Sequence, residues 1–205
     1  GGGGAMTEER TVVAPRFVTG AHDPATWGVA LFITTEAILF SLLFASYWYI
    51  RSGAAHWPPV GTELPKLLIP LINTAILLSS SATMVWAEGR IKRGSQGGLR
   101  LGLAVTSFLG LIFLALQLYE YADETMRIGD SAYASFFYVI TAFHSVHVFV
   151  GLMMLGYMQL RAWCGHFNAT RHLAITNVGW YWHFVDVVWL FVLAIVYLSP
   201  HVARV

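Results

Sequence analysis

Five stretches of this chain are apolar for long enough to cross a bilayer, which takes about 20 residues at a rise of about 1.5 Å each. The pattern predicts helices near 27–50, 66–87, 99–121, 133–160 and 177–198. The polar runs between them read RSGAAHWPPVGTELP, EGRIKRGSQGG, ADETMRIGD and RAWCGHFNATRH. Pro58, Pro59 and Pro65 break any helix in the first of these, and Asn177 is placed to cap the fifth helix. Connections this short make successive helices antiparallel neighbours. The expected fold is an all-α membrane protein, a five-transmembrane-helix bundle over 27–198, with a polar N-terminal segment at 1–26 and a short tail at 199–205.

Composition strengthens that picture. The chain has 205 residues, 57% of them hydrophobic and 11% charged, where an ordinary soluble domain carries roughly 25% charged residues. A net charge of +1 gives no reason to expect nucleic acid as a partner. The lone cysteine, Cys164, excludes an internal disulfide and any multi-cysteine metal site. The start, GGGGAMTEERTVV, has no apolar core of a cleavable signal peptide. Its leading GGGGA reads as an added tag, with Met6 as the native start. Trp27, Trp48, Trp86, Trp163, Trp180 and Trp182 fall near predicted helix ends, as an interfacial belt would. Arg10, Arg16, Arg90, Lys92, Arg93, Arg100, Arg161 and Arg171 lie on one side; Arg51, Lys66, Arg127 and Arg204 lie on the other. That excess predicts a cytoplasmic N-terminus and an outside C-terminus.

The candidate chemistry sits at membrane depth. The fifth segment contains WYWHFVDVVWLF, with His183 and Asp186 on one helical face. A charged side chain at the bilayer centre costs roughly 2.5–3.5 kcal/mol on insertion scales. Glu36 and Asp186 each lie roughly 13–14 Å into their helices, level with His147 on the fourth. His144 and His147 share a face, and His183 is a turn nearer the inner surface. Glu120 lies near the outer end of the third helix, where it is expected to reach interfacial water. Three readings fit. Histidines and carboxylates are acceptable ligands for a metal or haem. Buried ionisable groups also relay protons. Most commonly, such groups satisfy one another and lock helices together.

Several motifs then converge. TTEAILFSLLFASYW with Glu36, WPP at 57–59, PLINT at 70–74, QLYEY at 117–121, YASFFYVITAFHSVHVFVG and WYWHFVDVVWLF together resemble subunit III of the haem–copper respiratory oxidases. The likeness runs from the first helix to the last. One departure is Ser145, where the family usually has glycine. The other is length, since longer members carry two further N-terminal helices; five helices rather than seven are what the resemblance associates with a bacterial plasma membrane rather than a mitochondrion. The resemblance implies that other chains, small subunits, or extra helices on subunit I cover that side.

The resemblance also implies a role. Subunit III holds no redox centre: no cofactor or metal is expected in this chain, while haem and copper reside in partner subunits I and II. It packs beside subunit I, binds structural phospholipids, supports proton uptake and protects against turnover inactivation. Electrons from cytochrome c reach oxygen in the partners. On that reading Glu36, His144, His147, His183 and Asp186 form a buried polar network. Trp57, Arg90, Arg93, Arg100, Glu120, Tyr121, Trp180 and Trp182 are candidate lipid contacts by depth and chemistry. Close alternatives are subunit III of a quinol oxidase and the related nitric oxide reductase accessory protein. A more distant one is an independent haem-binding membrane protein.

Overall fold

Long apolar runs bounded by side-chain caps fold here into a bundle of antiparallel helices. The computed structural model describes residues 23–59, 61–62 and 64–202. The N-terminal segment with Met6, Arg10 and Arg16, and the tail with Arg204, lie outside the described residues. The helices are α1 (Pro24–Gly53), α2 (Leu68–Lys92), α3 (Gln96–Asp123), α4 (Ala132–Trp163) and α5 (Leu173–Val192). A π-helical stretch (Leu193–Leu198) and a last turn, α6 (Ser199–Val202), continue α5 without a break. Five of these helical spans are long and apolar enough to cross a membrane.

Helices α1, α3 and α4 overrun their predicted bounds at both ends because the apolar pattern marks the hydrocarbon-facing part, whereas caps mark the helix; α2 starts two residues later than predicted, at Leu68, and ends beyond its predicted bound, at Lys92. Asp23, Ser95 and Ser131 accept the backbone N–H groups of Ala25, Gly98 and Ala134, satisfying donors that a helix start leaves free. The fifth helix corrects its predicted start. Asn168 Oδ1 accepts from the backbone of Thr170 and Arg171 and closes the loop early, so α5 begins at Leu173 after His172. Asn177 is therefore not a cap. It lies buried inside α5 and accepts from the Thr26 hydroxyl at 3.4 Å.

The core lies among α2, α3, α4 and α5. Thr83 and Thr106 hydroxyls bond across α2 and α3 at 2.8 Å. A Cβ at Gly102 would collide with Ala87, so glycine there is a condition of the close α2–α3 crossing. Gly102→Leu is expected to force the pair apart and destabilise the bundle by about 1–3 kcal/mol. A denaturant titration of the purified protein checks this, and a wild-type midpoint would contradict it. At the other end of the pair, Lys66 Nζ meets Asp123 at 2.8 Å, an exposed ion pair of little energetic weight.

Helix α1 is attached differently. Its main packing is on α4 and α5, and it turns Leu31, Ile38, Leu42 and Tyr49 outward. Few side chains anchor it. Besides Thr26 and Glu36, Tyr47 is fully buried and accepts the Trp57 indole N–H at 2.9 Å. Arg51 donates to the Ser199 hydroxyl at 2.6 Å.

Candidate functional site

The polar residues predicted at membrane depth separate into distinct contacts rather than one network. Helices α1 and α4 bring Glu36 Oε2 to His147 Nε2 at 2.8 Å. The other ring nitrogen, Nδ1, donates to the Phe143 carbonyl of its own helix at 2.7 Å. With that nitrogen committed as a donor, one proton lies between Nε2 and the carboxyl. Phe40 packs its ring against the imidazole, and the Tyr181 hydroxyl donates to the His147 carbonyl at 3.1 Å. This pair ties α1 to α4.

His144 does something else one turn away. It is fully buried, and its Nε2 donates to the Val185 carbonyl on α5 at 3.1 Å. Its ring lies against Phe113 and Trp189. His183 turns toward α2, where Nδ1 is hydrogen-bonded to the Ser81 hydroxyl. Asp186 is 5% exposed, and neither carboxyl oxygen has a direct hydrogen-bond partner. The expected brace of Glu36, His147 and Asp186 is thus corrected to the Glu36–His147 pair alone. Asp186 projects toward α2 because it shares the Ser81-facing stripe of α5 with His183. Removing it would orphan neither His147 nor His183, whose side-chain partners are Glu36 and Ser81. Among the described residues, no three histidine, cysteine or acidic side chains gather in a geometry that would hold a metal ion.

Three expected lipid contacts prove to be interior. Glu120 is 2% exposed and accepts from Gln117 Nε2 at 2.9 Å and the Tyr197 hydroxyl at 3.1 Å. The π-helical stretch after α5 sets Tyr197 against α3, so this carboxyl meets protein instead of interfacial water. Trp57 folds under the α1 end against Tyr47 and Tyr133. Trp182 fills the centre of the bundle and donates to the Ser80 hydroxyl at 3.0 Å. Tyr121 is half-buried, its hydroxyl donating to Thr141 at 2.8 Å. Trp180 and Arg93 are exposed. Arg90 lies over the Trp86 ring and reaches Ser95, and Arg100 Nε donates to the Ala162 carbonyl. Ser145 bonds back to the Thr141 carbonyl at 2.9 Å.

Two concave features escaped sequence reasoning. Between the α4–α5 turn and the start of α1, a cavity of about 360 Å³ is lined by Arg161, His166, Arg171 and Asp23 together with apolar residues such as Phe167 and Leu173. Arg161 lies over the Tyr157 and Phe167 rings there. The sequence signal was present: basic residues in RAWCGHFNATRH beside an apolar helix start. Between α1 and α5, a groove of about 280 Å³ is walled by Phe40, Phe44, Phe184 and Phe191. Its lining is almost wholly hydrocarbon, as an acyl chain requires.

Known proteins place this architecture. The family model described as cytochrome c oxidase subunit III matches residues 7–200. Cytochrome c oxidase subunit 3 of Pisaster ochraceus is 42% identical over 83% of this chain and 68% of its own length. The Thermostichus vulcanus protein of that name is 35% identical over 95% of this chain and 97% of its own. The Synechocystis protein is 39% identical over 87% of this chain and 77% of its own. A match spanning nearly every helix described above, with relatives of this identity and coverage, shows that the chain belongs to the cytochrome c oxidase subunit III family and so to an oxidoreductase complex of the membrane.

Proposed function

We propose that this chain is an accessory, non-redox subunit of a proton-pumping cytochrome c oxidase in a bacterial plasma membrane. Its N-terminus faces the cytoplasm, in keeping with the Lys and Arg excess on that side. Haem and copper reside in subunits I and II, where electrons from cytochrome c reduce oxygen. This chain braces subunit I, binds phospholipid and supports proton uptake, which protects the complex during turnover. The observation that carries the lipid part is the cavity at the α4–α5 turn. Two guanidinium groups and an imidazole stand there with one carboxylate, Asp23, which is engaged in capping α1, beside apolar residues at a helix end; the excess of cationic groups suits a lipid phosphate with its chains running into the bilayer.

Replacing Arg161 and Arg171 together with alanine is expected to lower the phospholipid retained by the purified oxidase while the subunits stay together. Mass spectrometry of the extracted lipid checks this. Wild-type lipid content in the double variant would overturn the assignment.

A further inference from the structure

A line of polar side chains runs along the seam between α2 and α5. At the end of α2, Lys92 Nζ lies 2.8 Å from Glu88 Oε1, which also accepts from the Thr176 hydroxyl of α5 at 2.8 Å. Ser81 lies two helical turns from Glu88 on the same face of α2, and His183 lies two turns from Thr176 on the facing stripe of α5. There Ser81 and His183 Nδ1 are hydrogen-bonded. Asp186 follows, nearly wholly buried, with Ser81 beside its carboxyl and no direct donor to either oxygen.

Between the two levels α5 carries Gly179. The atoms nearest its missing Cβ are Met84 Cε at 3.3 Å and Glu88 Oε2 at 3.9 Å. So α5 puts no side chain at that point, the Met84 methyl packs beside it, and Glu88 Oε2 comes up to the turn of α5 that His183 follows by four residues. Farther along the seam the Trp189 indole N–H donates to Thr74, and neither group titrates. His144 of α4 reaches the same turn of α5 but is committed to the Val185 carbonyl. The titratable line therefore begins at the Lys92 end and stops at Asp186.

We propose that the α2–α5 seam is a one-sided proton-exchange path linking the Asp186 carboxyl to water at the Lys92 end of α2. It concerns protons held by this chain and stands apart from any effect on uptake by subunit I. An entering proton is taken up by the Glu88 carboxylate and passes to the unengaged ring nitrogen of His183. The Nδ1 proton of the ring then moves to the Ser81 oxygen as the Ser81 hydroxyl proton moves to an Asp186 oxygen. Glu88 is left a carboxylate, His183 is left neutral, and Asp186 has gained one proton. Ring tautomer exchange and rotation of the Ser81 hydroxyl reset the line. Asp186 is a dead-end store filled from one side.

The test uses the intact oxidase in proteoliposomes and infrared difference spectroscopy after a pH jump or a switch to D2O on one side. The Asp186 signal is the carboxyl change absent from Asp186→Asn. It is expected to respond when the jump is made on the Lys92 side only. Ser81→Ala and the near-isosteric Glu88→Gln are each expected to slow it by about tenfold or more, the factor that roughly 1.4 kcal/mol of added barrier produces. Thr74→Val, beyond Asp186, leaves the rate unchanged. No Asp186 response to either jump, equal response from both sides, or wild-type rates in both path variants would overturn the proposal. Two variants guard against one failing to assemble.

Discussion

Replacing Trp182 with alanine is expected to destabilise this bundle more than any other single truncation, by about 3 kcal/mol, the low end for a buried aromatic. The low end applies because the reference state in a bilayer is already apolar, so little transfer energy is lost and the lost packing dominates. That packing is extensive. Trp182 is fully buried and sits where Gly110 of α3 and Gly151 of α4 leave space; a Cβ at either glycine would come within 2.7 Å or 2.9 Å of its ring. Its indole N–H reaches Ser80 of α2. One side chain of α5 therefore touches three other helices. Gly110→Leu or Gly151→Leu should also destabilise, by overfilling the same space, and Trp182→Phe should cost less than alanine. Unfolding titrations in detergent check the series. A Trp182→Ala protein as stable as the wild type would show that the four helices are held by something else.

The second large effect is expected at Glu36. Glu36→Ala removes the partner of His147 Nε2, and a hydrogen bond to a charged group contributes about 1.5–3 kcal/mol. That is a large share of what holds α1, since this helix packs mainly on α4 and α5 and has few polar anchors along its length. The expected result is faster amide exchange along α1 with the rest of the bundle unchanged and the haem absorbance of the complex intact. Glu36→Gln retains a hydrogen-bonding group at the same place and should fall between. Exchange measured by mass spectrometry reads this directly. Wild-type protection of α1 in Glu36→Ala, or loss of haem absorbance, would contradict the anchoring role.

How much of this was legible in the sequence depends on which physical signal each feature carries. Helix number and order were legible because the hydrocarbon thickness demands long apolar runs, and five stand out. Depth was legible too, which is why Glu36 and His147 were expected at one level. Rotation about each helix axis was not. In helices apolar on most sides there is no strong amphipathic stripe to say which way a residue faces. Asp186 shares the depth of Glu36 but points to α2, and nothing in WYWHFVDVVWLF tells that apart. The same blindness affected the tryptophans. Trp27 and Trp180 are exposed, whereas Trp182 is buried, though all three lie near predicted helix ends. Glu120 was misplaced for another reason: the π-helical stretch that directs Tyr197 onto it has no residue signature. The Ser81–Glu88 and Thr176–His183 spacings could have been read as facing stripes, had α2 and α5 been known to touch.

The central claim is that this chain contributes structure and lipid contacts to an oxidase whose redox chemistry lies in its partners. The measurement that tests it most directly is a visible spectrum and subunit inventory of the native complex isolated through this chain, beside the spectrum of the chain purified alone. Haem bands and a cytochrome c oxidase subunit set are expected in the complex, and a colourless isolated chain. A Soret band in the isolated chain that disappears on replacing His144, His147 or His183 would contradict it.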